Sequence, residues 1–222
     1  MLVIALPLAF MSRSESSQYV DPQILYESTL ERNPRCWLCY DNLGVLLTAD
    51  DPQNAVLLFR RALAENPDDQ DVHYNLGNVL LQMGKVDEGA AELKIAVRTK
   101  PAFAEAHDNL GTALARLSDY AGAEREFRTA LSLKPTLTGT HTNLGRLLQM
   151  TKRPAEAVTE YRLALKAQPS VPEAHANLAN SLFDAGEFAE AAKEYQEALR
   201  LNPGYTDARD GLTRALAKIK GS

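Results

Sequence analysis

Apolar residues return along this chain at helical spacing, two helices at a time. The pattern repeats in units of 34 residues, with apolar side chains at unit positions 4, 7 and 11, then at 24, 27 and 28. Position 7 reads Leu43, Leu76, Leu110, Leu144 and Leu178, and position 11 reads Leu47, Leu80, Leu114, Leu148 and Leu182. In the second half, position 24 is Leu93, Phe127, Tyr161 and Tyr195, and position 27 is Ala96, Ala130, Ala164 and Ala198. The first unit is one residue short at its central turn, so Phe59 and Ala62 take those two parts one place early. Position 8 is Gly44, Gly77, Gly111, Gly145 and Ala179, small enough for the second helix to approach the first closely. Each unit therefore predicts a pair of amphipathic helices.

Prolines punctuate the pattern. Pro34, Pro67, Pro101, Pro135, Pro169 and Pro203 stand 33 and then 34 residues apart, and each closes a unit by steering its predecessor away from helix. Pro22, Pro52, Pro154 and Pro172 fit the first helical turn, with Asp51 as a cap before Pro52. Internal periods of this size signal stacked repeats. Five units are predicted at 37–69, 70–103, 104–137, 138–171 and 172–205. Residues 21–34 have the register of a lone second helix, with Tyr26 in the place of position 24. Residues 206–219 predict a capping helix with Leu212, Ala215, Leu216 and Ile219 on its apolar side and Arg209 and Lys218 exposed. The last unit needs such a cap to cover its apolar face.

Composition only removes extremes. At 222 residues, 45% apolar and 24% charged, the chain has the make-up of an ordinary globular protein, against wholesale disorder or a polytopic membrane protein. A net charge of −5 argues against a general nucleic-acid binder. Two cysteines do not make a disulfide framework.

The pattern resembles the tetratricopeptide repeat family from Trp37 to Pro203, as in His73–Pro101 and His175–Pro203. Its departures are the short first unit, Gly89 where alanine is usual, and Ala179 in place of glycine. The resemblance implies an all-α, right-handed superhelical solenoid of helix-turn-helix units, with first helices lining a concave groove and a C-terminal capping helix. The function it implies is binding of a protein or peptide rather than catalysis.

Residues 1–20 fit no repeat: an uncharged apolar run, Met1 to Met11, precedes a Ser-rich linker. Eleven residues are too few to span a bilayer, which takes ~20. The leading reading is the tail of a spanning helix that begins outside this chain; a degenerate signal or short anchor and a packing segment are alternatives. The order of apolar run, linker and "NPRCWLCYDNLG" before the repeats resembles the junction in transmembrane and tetratricopeptide-repeat O-mannosyltransferases and their bacterial relatives. That resemblance implies a membrane-associated, glycosyltransferase-like protein with repeats outside the cytoplasm; a soluble cytoplasmic protein is the alternative. The family's catalytic part lies in its membrane portion, so no catalytic residue carries over.

Position 6 is asparagine in all five units: Asn42, Asn75, Asn109, Asn143 and Asn177. Asparagine is a mediocre helix former, and its amide offers both donor and acceptor to a peptide backbone. In this fold the position faces the groove, and the same column in the similar repeats of O-GlcNAc transferase grips peptide main chain. Asn78 and Asn180 extend this polar surface. A harmless polar residue copied by duplication is the alternative. Acidic groove residues Asp41, Asp71, Glu105, Asp108 and Glu173, set against Arg116 and Arg146, lead to the expectation of a groove that prefers basic segments. Family members that clamp a C-terminal carboxylate use lysine at position 5, where this chain has Asp41, Tyr74, Asp108, Thr142 and Ala176. A carboxylate clamp is not expected.

All four histidines, His73, His107, His141 and His175, fall at position 4. Adjacent helices stand ~8–10 Å apart, too far for one metal to share residues from successive units, so packing against the second helix is expected. Cys36 and Cys39 form a lone C-x-x-C read as two small apolar residues flanking Trp37, with an extracytoplasmic disulfide as the main alternative. There is no phosphate-binding glycine loop, H-E-x-x-H or nucleophile elbow. No cofactor or metal is expected. The reading is a non-enzymatic interaction module holding an extended polypeptide, with a scaffold that assembles through its convex face or edges as the alternative.

Overall fold

The computed structural model describes residues 21–221, and among these it contains twelve helices and no strand. They fall in two compact units that divide between Thr99 and Lys100.

The first unit holds α1 (Pro22–Arg32), α2 (Trp37–Leu47), α3 (Pro52–Glu65), α4 (Gln70–Gln82) and α5 (Val86–Thr99). Helices α2 and α3 form one hairpin and α4 and α5 another; α1 packs on α2, and α3 on α4. Between them Phe59, Val72, Leu76 and Leu80 are almost wholly buried with Tyr40. Gly89 departs from the usual alanine because α4 and α5 meet backbone to backbone. A Cβ there would stand 2.9 Å from the Gly77 carbonyl oxygen.

The second unit holds α6 (Ala104–Arg116), α7 (Tyr120–Leu133), α8 (Thr138–Met150), α9 (Pro154–Ala167), α10 (Pro172–Asp184), α11 (Phe188–Leu201) and α12 (Thr206–Lys220). Three hairpins, α6–α7, α8–α9 and α10–α11, stack so that each second helix packs on the next first helix, and α12 packs on α11. The first helices also touch in sequence, α6 with α8 and α8 with α10. Glycine again sets the approach: a Cβ on Gly111 would lie 2.7 Å from the Phe127 ring, and one on Gly145 would lie 2.9 Å from Tyr161.

Helix ends follow the local chemistry. Pro22, Pro52, Pro154 and Pro172 each open a helix. The carboxylates of Asp21 and Asp51 accept from the backbone N–H groups of Gln23 at 2.9 Å and Asn54 at 3.1 Å. Four of the five hairpin turns use one left-handed residue, supplied by Gly84 and Gly186 in two and by Ser118 and Lys152, at φ 64° and 62°, in two more; the turn between α2 and α3, one residue shorter, has none.

Two expectations change. Cys36 and Cys39 are joined in a disulfide at the start of α2 rather than standing as separate apolar residues, with Cys36 as the N-cap. The capping helix buries a narrower face than predicted. Ala208, Gly211 and Ala215 are inside and Leu212 is half-buried, while Leu216 and Ile219 remain 41% and 42% exposed. Small residues take the seam because Gly211 lies directly against the Tyr195 ring. The apolar N-terminal run and its linker lie outside the described residues. Among the described residues, no helix is long and apolar enough to cross a membrane.

Candidate functional site

Each first helix is latched to the turn before it by the side chain at position 4. Nε2 of His73, His107, His141 and His175 faces the carbonyl oxygen of the proline six residues earlier at 2.9, 3.1, 3.2 and 3.0 Å. Tyr40 donates to the Pro34 carbonyl in the same way at 3.1 Å, and Arg209 of the cap donates to Pro203 at 2.7 Å. The other histidine nitrogen, Nδ1, faces a glutamate on the paired second helix. His73–Glu92 and His107–Glu126 are separated by 2.6 Å, His141–Glu160 and His175–Glu194 by 2.7 Å. The expected packing against the second helix is thus polar at its edge, and each histidine is committed to its own repeat.

Both nitrogens of such a ring meet oxygen acceptors, and only the doubly protonated imidazolium donates from both. At His73, burial pulls the pKa down. The hydrogen bonds to Glu92 and the Pro67 carbonyl, with the charges of Glu92 and Asp69, outweigh it and leave the pKa raised. The glutamates were not singled out in the sequence, although a signal is there. The repeat with Tyr40 carries Leu58 at the corresponding second-helix position, whereas every repeat with histidine carries glutamate.

The asparagine column is half-buried at all five positions: Asn42 on α2 and Asn75 on α4 in the first unit, and Asn109, Asn143 and Asn177 on α6, α8 and α10 in the second. Its amides are already engaged where a carboxylate precedes them. Asn75 Nδ2 donates to Asp41 at 3.0 Å, and Asn143 Nδ2 donates to Asp108 at 3.3 Å. Position 6 of one repeat therefore ties back to position 5 of the repeat before. Burial pushes the Asp41 carboxyl up to about 6, against the lowering effect of Asn75 and with help from the charges of Asp69 and Asp71. Asp108 is raised for the same first reason, despite its bond from Asn143.

The remaining predicted residues are placed more loosely. Asp71 is exposed and accepts from Gln70 at 3.0 Å. Glu105 accepts from Lys134 at 2.7 Å, which holds its carboxyl below the usual range. Asn78 is half-buried; Asn180 is exposed, and its side-chain oxygen accepts from the Tyr195 hydroxyl at 2.6 Å.

In the second unit the first helices α6 and α8 enclose a cleft of about 310 Å³. Arg116 and Arg146 line it together with Asn143, over an apolar floor that includes Phe127, Leu147 and Met150. No carboxylate lines this cleft, so the expectation of an acidic groove does not describe it. The reason lies in burial: the acidic side chain at position 5 of α6, Asp108, is half-buried and bonded to Asn143, while the arginines project. Among the described residues, no group of three or more histidine, cysteine or acidic side chains is arranged to hold a metal ion.

Paired helices of this geometry, repeated at a fixed period with a small residue at each crossing, define a helical-repeat protein. The tetratricopeptide repeat family matches residues 46–117, 104–137 and 142–217, and the chain belongs to it. Among solved structures it is similar to YrrB, described as a TPR protein with an unusual peptide-binding site, at 19% identity and a TM-score of 0.73. That match covers 83% of this chain and 96% of YrrB. MamA is similar at 20% identity and a TM-score of 0.70, over 75% of this chain and 92% of that one. A thermophilic TPR protein of Thermus thermophilus, TTC0263, is similar at 25% identity and a TM-score of 0.60, over 82% of this chain and 100% of that one. No curated protein matches the chain.

Proposed function

We propose that this chain is a non-enzymatic interaction module that holds an extended polypeptide along the first helices of its repeats. The observation that carries the reading is the half-buried asparagine column, with Asn75 and Asn143 held by Asp41 and Asp108 through their amide nitrogens. This fixes which way each amide points and turns its oxygen toward the role of acceptor for peptide N–H groups. Pre-orientation of this kind lowers the ordering cost of binding. A column of acceptors grips main chain and reads little sequence. That YrrB is described as peptide-binding agrees with the class but carries no residue across at 19% identity.

The test is Asn109→Ala, Asn143→Ala and Asn177→Ala combined, measured by peptide-array binding with circular dichroism as the control for folding. Loss of peptide capture at unchanged helicity supports the reading; undiminished capture overturns it.

A second reading is end-on assembly, favoured by Leu216 and Ile219 standing exposed on α12. Light scattering separates the two: Leu216→Lys with Ile219→Lys dissolves such an assembly and leaves peptide capture intact. The proposal extends to a membrane tether through residues 1–20 with the repeats outside the cytoplasm, within a glycosyltransferase-like protein. Fractionation of the full chain against a version starting at Asp21 tests the tether.

A further inference from the structure

We propose that the cleft between α6 and α8 is a specificity pocket for an acidic side chain of the bound segment, with an apolar side chain seated beside it. The inference rests on the groove-binding reading and adds to it the chemistry of what is selected. The volume, about 310 Å³, lies at the small end of the ~300–1,000 Å³ range of ligand pockets and suits one or two side chains.

Its charged lining is all of one sign. Arg116 comes from the last turn of α6 and Arg146 from the middle of α8, so two guanidinium groups of neighbouring repeats border one opening. Arg146 reaches the side-chain oxygen of Asn143 only at 3.5 Å, a long contact at the edge of hydrogen bonding. A carboxylate would replace it with a charge-assisted and bidentate one. Two polar groups of the packed helices are committed elsewhere. Asp108 of α6 is bonded to Asn143 Nδ2, and Tyr161 of α9 donates its hydroxyl to Gln149 at 2.8 Å. Burial raises the Tyr161 phenol while the charge of Arg146 works in the opposite direction, in keeping with a cation facing this wall.

The floor is apolar. Phe127 and Leu147 are buried, but Met150 is 53% exposed at the rim, a flexible thioether placed to cover an incoming aliphatic side chain. A lysine or arginine brought here would meet two like charges and no acceptor among the lining side chains but the Asn143 oxygen and the Thr112 hydroxyl. Charge complementarity therefore favours Asp or Glu followed or preceded by an apolar residue.

The experiment is a positional-scanning library of acetylated octapeptides, made in parallel with amidated and with free C-termini and bound to the full chain, compared with Arg116→Glu combined with Arg146→Glu. Neither arginine is buried, and thermal melts confirm that the variant folds. Enrichment of Asp or Glu beside an apolar residue is expected. A Glu→Gln change in the selected peptide should weaken binding about tenfold, and the double variant should shift selection to Lys or Arg. Selection of basic residues by the unaltered protein, or an acidic preference untouched by charge reversal, overturns the proposal. So does binding only of peptides with a free C-terminal carboxylate, which would make the terminus the ligand. Peptides bound with no preference for acid overturn this inference alone, whereas no peptide bound by any arm overturns the groove reading beneath it.

Discussion

His73 Nδ1 lies 2.6 Å from Glu92 Oε2, so a polar side-chain contact adds to the packing between the first and second helices of the second repeat. With the Pro67 carbonyl 2.9 Å from the other nitrogen, the ring is clipped at both ends. The first repeat solves the same problem with Tyr40, which keeps the proline bond, and carries Leu58 at the second-helix position that is glutamate in the repeats with histidine.

That pair makes a pH prediction. The His73 pKa stands above its unfolded value, so its contribution to stability is fully present below pH ~6.5 and is lost as the pH rises through the folded value. Changing His73→Tyr together with Glu92→Leu copies the Tyr40 and Leu58 solution of the first repeat. Urea unfolding at pH 5.5 and at pH 8.5 should show the unaltered chain losing stability toward the higher pH by more than the double variant does. Equal losses would show that the clip contributes nothing through its charge.

Asp41 loses stability over a lower pH range. Its carboxyl is pushed up to about 6 by burial, so the folded state binds its proton more tightly than the unfolded chain. Stability therefore falls as pH rises from ~4 through 6. Asp41→Asn keeps an oxygen acceptor for Asn75 and removes the buried charge. It should stabilise the chain by ~1–3 kcal/mol at pH 7.5 and leave it unchanged at pH 4. Thermal unfolding at the two pH values measures the difference directly.

A third prediction concerns the helix crossings. Gly111→Ala puts a methyl 2.7 Å from two carbons of the Phe127 ring, which is 1% exposed. The cost should be ~1–3 kcal/mol in denaturant unfolding. Replacing Phe127 by leucine in the same chain should recover part of it. Additive losses would mean that the ring was not what the methyl struck.

Most of the architecture was legible because one constraint is written five times over. The leucines at position 11 and the prolines at position 32 recur in a single line of sequence, and period alone converts them into paired helices. What joins the repeats was harder to see. The Asp41–Asn75 and Asp108–Asn143 ties link residues 34 and 35 positions apart on different helices. Column-by-column reading shows each asparagine but not its partner in the preceding column. The cleft between α6 and α8 departs from the acidic expectation for a related reason. Counting acids on the first helices treats Asp108 as available, although its carboxylate is half-buried under Asn143 while Arg116 and Arg146 project. The cap erred through size, since leucine and isoleucine suggested the inner face and the seam against Tyr195 is filled by Ala208, Gly211 and Ala215.

The hairpin turns supply the last prediction. In the four full-length repeats position 15 is left-handed where the chain reverses between paired helices, and Gly84 and Gly186 take φ values of 77° and 84° there. Lys152 holds φ 62° with a Cβ in place, a conformation that costs roughly 1–2 kcal/mol for a residue other than glycine. Lys152→Gly removes that strain and adds some freedom to the unfolded chain, a penalty of ~0.4–1 kcal/mol. The balance is a gain of ~0.5–1 kcal/mol, and Ser118→Gly at φ 64° should behave alike. The two turns lie in successive hairpins far apart in sequence, so their effects should add in thermal unfolding. Gly84→Ala is the mirror experiment: nothing lies within 4 Å of the added Cβ, so any loss of stability comes from backbone conformation alone. An unchanged melting temperature in Gly84→Ala would remove the argument for all four turns at once.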